Sequence, residues 1–279
     1  MKSMKIIKSI FSTKTLSMIV IIFFVVFGFL PMFIMLVTSF KDEMQLLQNF
    51  WGVSFPLRLE NYTKAWEEIY IYFLNSLKVT MLSVIGIVAV SLFAGYAFAK
   101  MQFKGKNAIF LTLISFRMVP TGLLIIPMFM NIYSYGLNNN HFGVILPNIA
   151  GGCIMGIMLS KGFFAEIPDS IFESARIDGA SELRLITSFV LPLSIPIIGT
   201  IAVFNFFGTF NQYMWPYIVL SDNALKTVPI GLARLAGEYG LNFGLQMAGY
   251  TIASVPLIIL FLCTSRIYIS GITSGAVKA

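Results

Sequence analysis

Six long apolar segments restrict the folds open to this 279-residue chain. Each is between 18 and 25 residues long, and Arg117 is the single charged residue inside them. They cover Leu16–Thr38, Val79–Ala99, Ala108–Ile132, Gly143–Ser160, Ile186–Phe207 and Leu245–Thr264. A helix that crosses a bilayer needs about 20 predominantly apolar residues and satisfies its own backbone hydrogen bonds there. The segments therefore predict an all-α membrane protein with six transmembrane helices.

The scarcity of charge excludes several classes of protein. Asp, Glu, Lys and Arg make up 11% of the residues, whereas they make up about 25% of a soluble domain. Such a chain cannot cover itself with a charged surface, so we expect the lipid bilayer to be its solvent. This excludes a soluble enzyme and a disordered chain. We attribute the sequence pI of about 9.4 to membrane topology and expect no nucleic-acid partner.

The distribution of Lys and Arg predicts the orientation of the chain. Twelve of the 19 fall on the same side as the N-terminus and five on the opposite side, with Lys78 and Arg117 assigned to the membrane. Because cytoplasmic loops carry the positive excess, we expect both termini to be cytoplasmic in a multi-pass protein of the cell membrane.

The apolar segments also lack the groups that would drive transport. They contain no Asp or Glu, whereas proton- and sodium-driven carriers usually keep a buried carboxylate as a coupling site. The sequence has no phosphate-binding Walker A motif. We therefore expect no enzymatic activity, no metal site and no cofactor in this chain, and any ATPase is expected to be another subunit. A carrier or channel that works without an ATPase stays open as an alternative.

Two features suggest a substrate pathway. Arg117 lies ~15 Å into its segment at the helical rise of 1.5 Å per residue, so its charge should face water, a partner or a ligand. The stretch 204–215 combines aromatic rings, which stack on sugar rings, with amides, which satisfy hydroxyls. The candidate residues there are Asn205, Phe206, Phe210, Asn211, Gln212, Tyr213 and Trp215. An aromatic belt at the membrane interface is the alternative.

A polar loop at 165–184 interrupts the apolar pattern and holds seven charged residues. Pro168 marks a helix start, Gly179 fits a left-handed stop, and Ser181 is suited to cap a second short helix. Two short helices that meet at a glycine form a compact protrusion. It is either a long turn or a docking element for a soluble partner.

This loop resembles the EAA loop of the permease subunits of binding-protein-dependent ABC importers. Glu173-Ser174-Ala175 matches the Glu-Ala-Ala element, Gly179 follows at the family interval, and Phe189-Val190-Leu191-Pro192 matches the closing Ile-x-Leu-Pro. Ser174 and Phe189 are the two departures from the pattern, and the spacing is intact. The resemblance implies that the loop couples to an ATPase. The residues it assigns to coupling are Glu173, Ser174, Ala175, Asp178, Gly179, Leu191 and Pro192.

Further stretches resemble the carbohydrate branch of that family, in particular the smaller maltose-type permease. They are Asn75-Ser76-Leu77, residues 94–100, Arg117-Met118-Val119-Pro120, residues 211–216 and the tail from Ser270. The resemblance implies a type I ABC importer permease fold in the bacterial inner membrane and import of an oligosaccharide. The implied partners are a paired permease subunit forming a heterodimer, two cytoplasmic ATPase subunits that bind ATP and Mg, and an extracytoplasmic solute-binding protein. A non-sugar solute is the alternative cargo.

These expectations divide the chain into three regions. Residues 1–70 are expected to form the first transmembrane helix and an outer loop. Residues 71–267 are expected to form the core permease domain, including the coupling loop 165–184. Residues 268–279 are expected to form a cytoplasmic tail, whose residues Gly275–Ala279 reach the ATPase interface by resemblance. Arg117 adds the narrower hypothesis of an anionic substrate, such as a uronate or a sialylated sugar.

Overall fold

The computed structural model describes residues 13–177 and 179–276, and within them every regular element is helical. This confirms the all-α prediction. The helices are α1 (Thr13–Ser39), α2 (Glu43–Gln48), α3 (Glu60–Lys100), α4 (Lys106–Ser115), α5 (Thr121–Ser134), α6 (Phe142–Glu166), α7 (Asp169–Ile177), α8 (Glu182–Leu185), α9 (Leu191–Leu193), α10 (Ile195–Phe210), α11 (Met214–Val219), α12 (Val228–Tyr239) and α13 (Phe243–Ala276). Short 3-10 turns cover Phe116–Met118 and Asn223–Leu225, and a π-helical turn covers Ile186–Val190.

Four of the described helices are long and apolar enough to cross a membrane, namely α1, α3, α6 and α13. They contain four of the six predicted spans. The longest, α3, has 41 residues and extends well beyond the predicted span of Val79–Ala99 toward the N-terminus. The orientation of the termini stays a prediction.

The other two predicted spans are interrupted. Over Ala108–Ile132 the chain forms α4 and α5, which meet at an angle of 104°. Pro120 is the N-cap of α5, and a proline lacks the backbone N–H that would continue the preceding helix. Over Ile186–Phe207 the π-helical turn and α9 precede α10, an apolar helix of 16 residues. Pro192 and Pro196 occupy the first turns of α9 and α10, so each helix restarts at a proline.

Contacts within the chain define two units. The described part of the first unit comprises residues 13–68 and 234–254. After α1, the side chain of Lys41 is buried, and its ammonium donates to the carbonyls of Asn49 at 2.5 Å and Phe50 at 3.1 Å. This burial lowers the pKa of Lys41. These bonds fold the segment after α1 back on itself.

A second set of bonds fixes the start of α2 in the same unit. Asp42 caps α2 through the backbone N–H of Gln45 and pairs with Arg58 at 2.7 Å. Those two donors, the backbone N–H first, lower the pKa of the Asp42 carboxyl. The connection between α1 and α3 is therefore an ordered substructure.

The described part of the second unit comprises residues 69–177, 179–233 and 255–276. Within it, α3 and α6 approach closely where glycines leave room. A Cβ added at Gly156 would overlap the Ser91 side chain, and one added at Gly95 would overlap Ser160. Small residues allow the backbones of membrane helices to pack tightly, so this seam joins the two long helices.

Candidate functional site

The segment from α7 to α8 has the local geometry that its sequence predicts. α7 begins at Asp169, directly after Pro168. Gly179 has a φ of 81°, in the left-handed region that favours glycine. The Ser181 hydroxyl accepts a hydrogen bond from the Arg184 backbone N–H at 3.4 Å and so caps α8. The predicted start, left-handed glycine and cap are confirmed.

Phe172 attaches α7 to the rest of the second unit. Its side chain is 2% exposed and lies in a cluster of buried side chains with Tyr96, Phe164 and Leu185. The rings of Tyr96 and Phe172 are 5.9 Å apart, and those of Tyr96 and Phe164 are 6.1 Å apart. Burying an aromatic side chain stabilises a contact by about 1.5–3 kcal/mol, so this cluster fixes one face of α7.

Lys100, the last residue of α3, supplies a polar contact beside that cluster. Its ammonium donates to the Ile167 carbonyl and to the Asp169 carboxylate, both at 2.6 Å. It also lies over the Phe172 ring, 5.1 Å from the ring centre. Sequence reasoning counted Lys100 among the cytoplasmic charges and gave it no role in the loop. No local sequence signal identifies this role, because Ile167 and Asp169 are remote from Lys100 in the chain.

The opposite face of α7 is open. Glu173 and Ser174 are exposed, and Ile177 is 86% exposed. A Cβ added at Gly179 would meet no atom within 4 Å. We call the exposed residues Glu173, Ser174, Ile177 and Gly179 the knob. The knob presents an exposed carboxylate and an exposed isoleucine on neighbouring turns of α7.

Two further residues of the predicted coupling set follow α8 in the chain. Leu191 is half-buried and packs against the Phe172 cluster, whereas Pro192 is exposed in α9. The side chain of Ala175 and the whole of Asp178 lie outside what the structure describes. Of the predicted set, Glu173, Ser174 and Gly179 are therefore exposed on or just after α7, whereas Leu191 packs against the Phe172 cluster.

Arg117 lies at the 104° bend between α4 and α5. Its side chain is exposed, and its guanidinium makes a long contact of 3.9 Å with the Met155 sulfur. The expectation that this charge faces water, a partner or a ligand stays a prediction. Its role toward a substrate stays a prediction.

The aromatic and amide residues of the stretch 204–215 divide into two groups. Phe206, Phe210 and Trp215 are between 2% and 7% exposed. Phe206 and Phe210 stack at 5.7 Å, and the Trp215 indole donates to the Gly143 carbonyl at 3.2 Å. These three side chains fill the interior of the second unit rather than an aromatic belt.

The polar residues of the same stretch are more accessible. Asn211 and Tyr213 are exposed, and Asn205 and Gln212 are half-buried. The Asn205 amide donates to the Ile201 carbonyl at 2.9 Å. Among the described residues, the buried Oε1 atom of Gln212 accepts no hydrogen bond. A buried acceptor without a donor is costly, so this oxygen is an unsatisfied polar group in the stretch 204–215.

A shallow groove lies at the start of the predicted second span. Its lining residues are Lys78, Leu82, Asn139, Asn140, His141, Phe142, Ile145 and Leu225. Its polar side chains bond mostly to backbone groups, since the side-chain Oδ1 of Asn139 accepts from the backbone N–H groups of Ser221 and Asp222. The His141 ring bonds to the Leu225 carbonyl at 2.9 Å. These hydrogen bonds therefore fix the loop after α11.

Comparison with known proteins identifies the family. The family described as binding-protein-dependent transport system inner membrane component matches residues 88–269. The chain belongs to this family. The match includes the knob, the seam between α3 and α6, and the stretch 204–215.

Individual relatives of this permease family cover nearly the whole chain. An arabinooligosaccharides transport system permease protein of Halalkalibacterium halodurans is 32% identical over 254 residues, which are 89% of this chain and 90% of the relative. A melibiose/raffinose/stachyose import permease protein of Bacillus subtilis is 30% identical over 253 residues, which are 90% of this chain and 91% of the relative.

A solved structure shares the fold. A chain of a bacterial ABC transporter involved in the import of the acidic polysaccharide alginate superposes with a TM-score of 0.79. The superposition covers 90% of this chain and 94% of that chain at 19% sequence identity. The chain therefore shares the overall fold of that transporter chain, and the number of its membrane crossings stays a prediction.

Proposed function

We propose that this chain is a transmembrane permease subunit of an ATP-driven, binding-protein-dependent sugar importer in the bacterial cell membrane. The relatives named for arabinooligosaccharides and for melibiose, raffinose and stachyose support an oligosaccharide as the cargo. The chain forms half of the translocation pathway and pairs with a second, related permease subunit. An extracytoplasmic binding protein delivers the sugar, and two ATPase subunits bind ATP and Mg on the cytoplasmic side.

The observation that carries the coupling role is the knob. Its exposed residues project from a helix whose other face is fixed by the buried Phe172 and by Lys100. Because one face of α7 is fixed to the second unit, a force applied to the exposed residues of the knob is transmitted to that unit. Glu173 supplies a charged contact to the ATPase, and Gly179 supplies the left-handed turn that shapes the knob. The proposal assigns coupling roles to Ser174, Ala175, Asp178, Leu191 and Pro192 as well.

The same proposal assigns the membrane arrangement. α1, α3, α6 and α13 cross the bilayer once each, the bent pair α4 and α5 forms one crossing, and α10 with the turns before it forms the sixth. Both termini are then cytoplasmic, and residues 71–267 form the core permease domain between the first helix and the tail 268–279.

The polar residues of the stretch 204–215 line the sugar pathway in this proposal. Asn211, Gln212 and Tyr213 meet sugar hydroxyls and ring faces, with Asn205 behind them. Phe206, Phe210 and Trp215 form the wall that holds these groups in place. Arg117 contributes a cation, which selects for an acidic sugar.

The test of the coupling role is the variant Glu173→Arg, which reverses the charge of the knob. We expect the purified permease pair to lose most of the ATPase that co-purifies with the native pair, while membrane insertion is unchanged. Glu67→Arg is the matched control, because Glu67 is also an exposed helical glutamate and lies outside the loop.

Three outcomes would each overturn a part of the proposal. Equal recovery of ATPase with Glu173→Arg and Glu67→Arg would remove the knob as the docking site. A native permease that retains no ATPase and still moves sugar would make the chain a carrier or channel. Uptake of amino acids or peptides in place of sugars would change the cargo.

A further inference from the structure

The junction between α6 and α7 is held by one side chain from α3. Ile167 is the C-cap of α6, and Asp169 is the first residue of α7. The Lys100 ammonium bonds to both, at 2.6 Å each. It therefore binds the last carbonyl before the junction and the first carboxylate after it. A third contact, with the Phe172 ring, reaches the next turn of α7.

The burial of Lys100 makes these contacts specific. Its side chain is 7% exposed, whereas that of Asp169 is 74% exposed. A buried ammonium must find partners for its charge and its donors, and the junction supplies them. The carboxylate alone, being exposed, would be a weak partner. The buried Lys100 ammonium, rather than the exposed Asp169 carboxylate, therefore fixes the position of the α6–α7 junction relative to α3.

α3 carries this attachment point into the membrane part of the second unit. Tyr96, one turn before Lys100, contacts both Phe164 of α6 and Phe172 of α7. Further along, the glycine seam packs α3 on α6. A displacement of α7 therefore acts on the end of α3 through one polar and one aromatic contact.

We infer that Lys100 is a positioning residue that locks the knob to the end of α3, so that movement of the docked ATPase is transmitted to this long helix. The inference rests on the proposed function, because Lys100 transmits movement from the ATPase only if the ATPase docks on the knob. Lys100 itself takes no part in docking, since its side chain is buried against the α6–α7 junction and the Phe172 ring.

The test separates transmission from docking. In the complete complex reconstituted in liposomes, Lys100→Met should retain the ATPase but consume more ATP per sugar transported. Residues that carry coupling change it by about two- to thirtyfold, and we expect an increase in that range. Lys100→Arg keeps a cation with several donors and should restore most of the coupling. Lys104→Met is the matched control, because Lys104 is an exposed lysine four residues away.

A spectroscopic readout tests the same contact directly. A nitroxide label at Ser174→Cys, in a chain whose Cys153 and Cys263 are replaced by serine, reports the mobility of α7. Lys100→Met should increase the mobility of the label, and Lys104→Met should leave it unchanged. Asp169→Asn weakens the exposed half of the contact and gives a second test if Lys100→Met does not fold.

The outcomes distinguish the two claims. If Glu173→Arg loses the ATPase and both Lys100→Met and Asp169→Asn match Lys104→Met in coupling and mobility, the positioning role is wrong and the docking site stands. If Glu173→Arg retains the ATPase, the docking site itself is wrong, whatever Lys100→Met does.

Discussion

Replacement of Gly179 by alanine tests whether the backbone conformation of the knob matters for docking, because it leaves the charged and polar groups of the knob unchanged. Gly179 has a φ of 81°, and an added Cβ would meet no atom within 4 Å. The substitution therefore causes no clash and changes no charge. Its effect comes from the backbone alone, because an L-residue in the left-handed region is strained by roughly 1–2 kcal/mol.

That strain sets the size of the expected effect. At about 1.4 kcal/mol per tenfold change in an equilibrium constant, the left-handed turn becomes about 5- to 30-fold less favourable relative to other conformations. If the ATPase binds the knob only in this conformation, its apparent affinity for the permease pair should fall by up to the same factor, because affinity scales with the population of the competent turn. Titration of the purified ATPase subunit onto the permease pair in nanodiscs measures this change.

The control is another glycine with the same conformation. Gly136 has a φ of 69° and also has no atom within 4 Å of an added Cβ. Gly136→Ala carries a similar strain at the turn after α5, outside the knob. ATPase affinity should fall with Gly179→Ala and not with Gly136→Ala. Equal affinities for the two variants would refute the argument that the left-handed turn shapes the docking surface.

Two further predictions concern packing and substrate. Gly156→Ala should lower the Tm of the purified protein, because the added Cβ overlaps Ser91 and overpacking costs roughly 1–3 kcal/mol. The control is Gly151→Ala on the same helix, where an added Cβ meets no atom within 4 Å, and it should leave the Tm unchanged or slightly raised. Equal losses of Tm in the two variants would refute the tight packing of α3 on α6 at Gly156. Arg117→Gln should reduce uptake of an acidic oligosaccharide by about tenfold or more, the value of a charge-assisted hydrogen bond, with little effect on a neutral one; an unchanged preference would exclude an anionic substrate.

The sequence predicted the long continuous helices well, because uninterrupted apolar length is a physical requirement of the bilayer. It predicted the knob for a different reason. Pro168, Gly179 and Ser181 each act on the backbone locally, and the structure places a helix start, a left-handed turn and a cap at these residues.

The two broken spans show where apolar length is a poor guide. The mean hydropathy of Ala108–Ile132 is the same for a straight helix and for a bent one, so hydropathy does not predict a bend. Arg117 and Pro120 stand together in the sequence, and the chain turns there by 104°. Pro192 and Pro196 give the same signal before α10. Proline at a helix start was the better guide to these breaks than segment length.

Tertiary burial was beyond the reach of the sequence pattern. Trp215 and Tyr213 are neighbouring aromatic residues in the predicted pathway, yet Trp215 is 4% exposed and Tyr213 is 41% exposed. The difference arises because Trp215 meets Gly143 of α6, a contact between residues far apart in the chain. Lys100 was undervalued for the same reason, since its partners at Ile167 and Asp169 are remote in sequence.

The most direct test of the central claim is sugar uptake by the complete complex in liposomes. The chain, its paired permease and the ATPase subunits are reconstituted, the loaded binding protein is added outside, and labelled oligosaccharide is counted inside. We predict uptake that requires ATP and the ATPase and that is unaffected by ionophores that collapse ion gradients. Uptake that proceeds without ATP and is abolished by those ionophores would contradict the account.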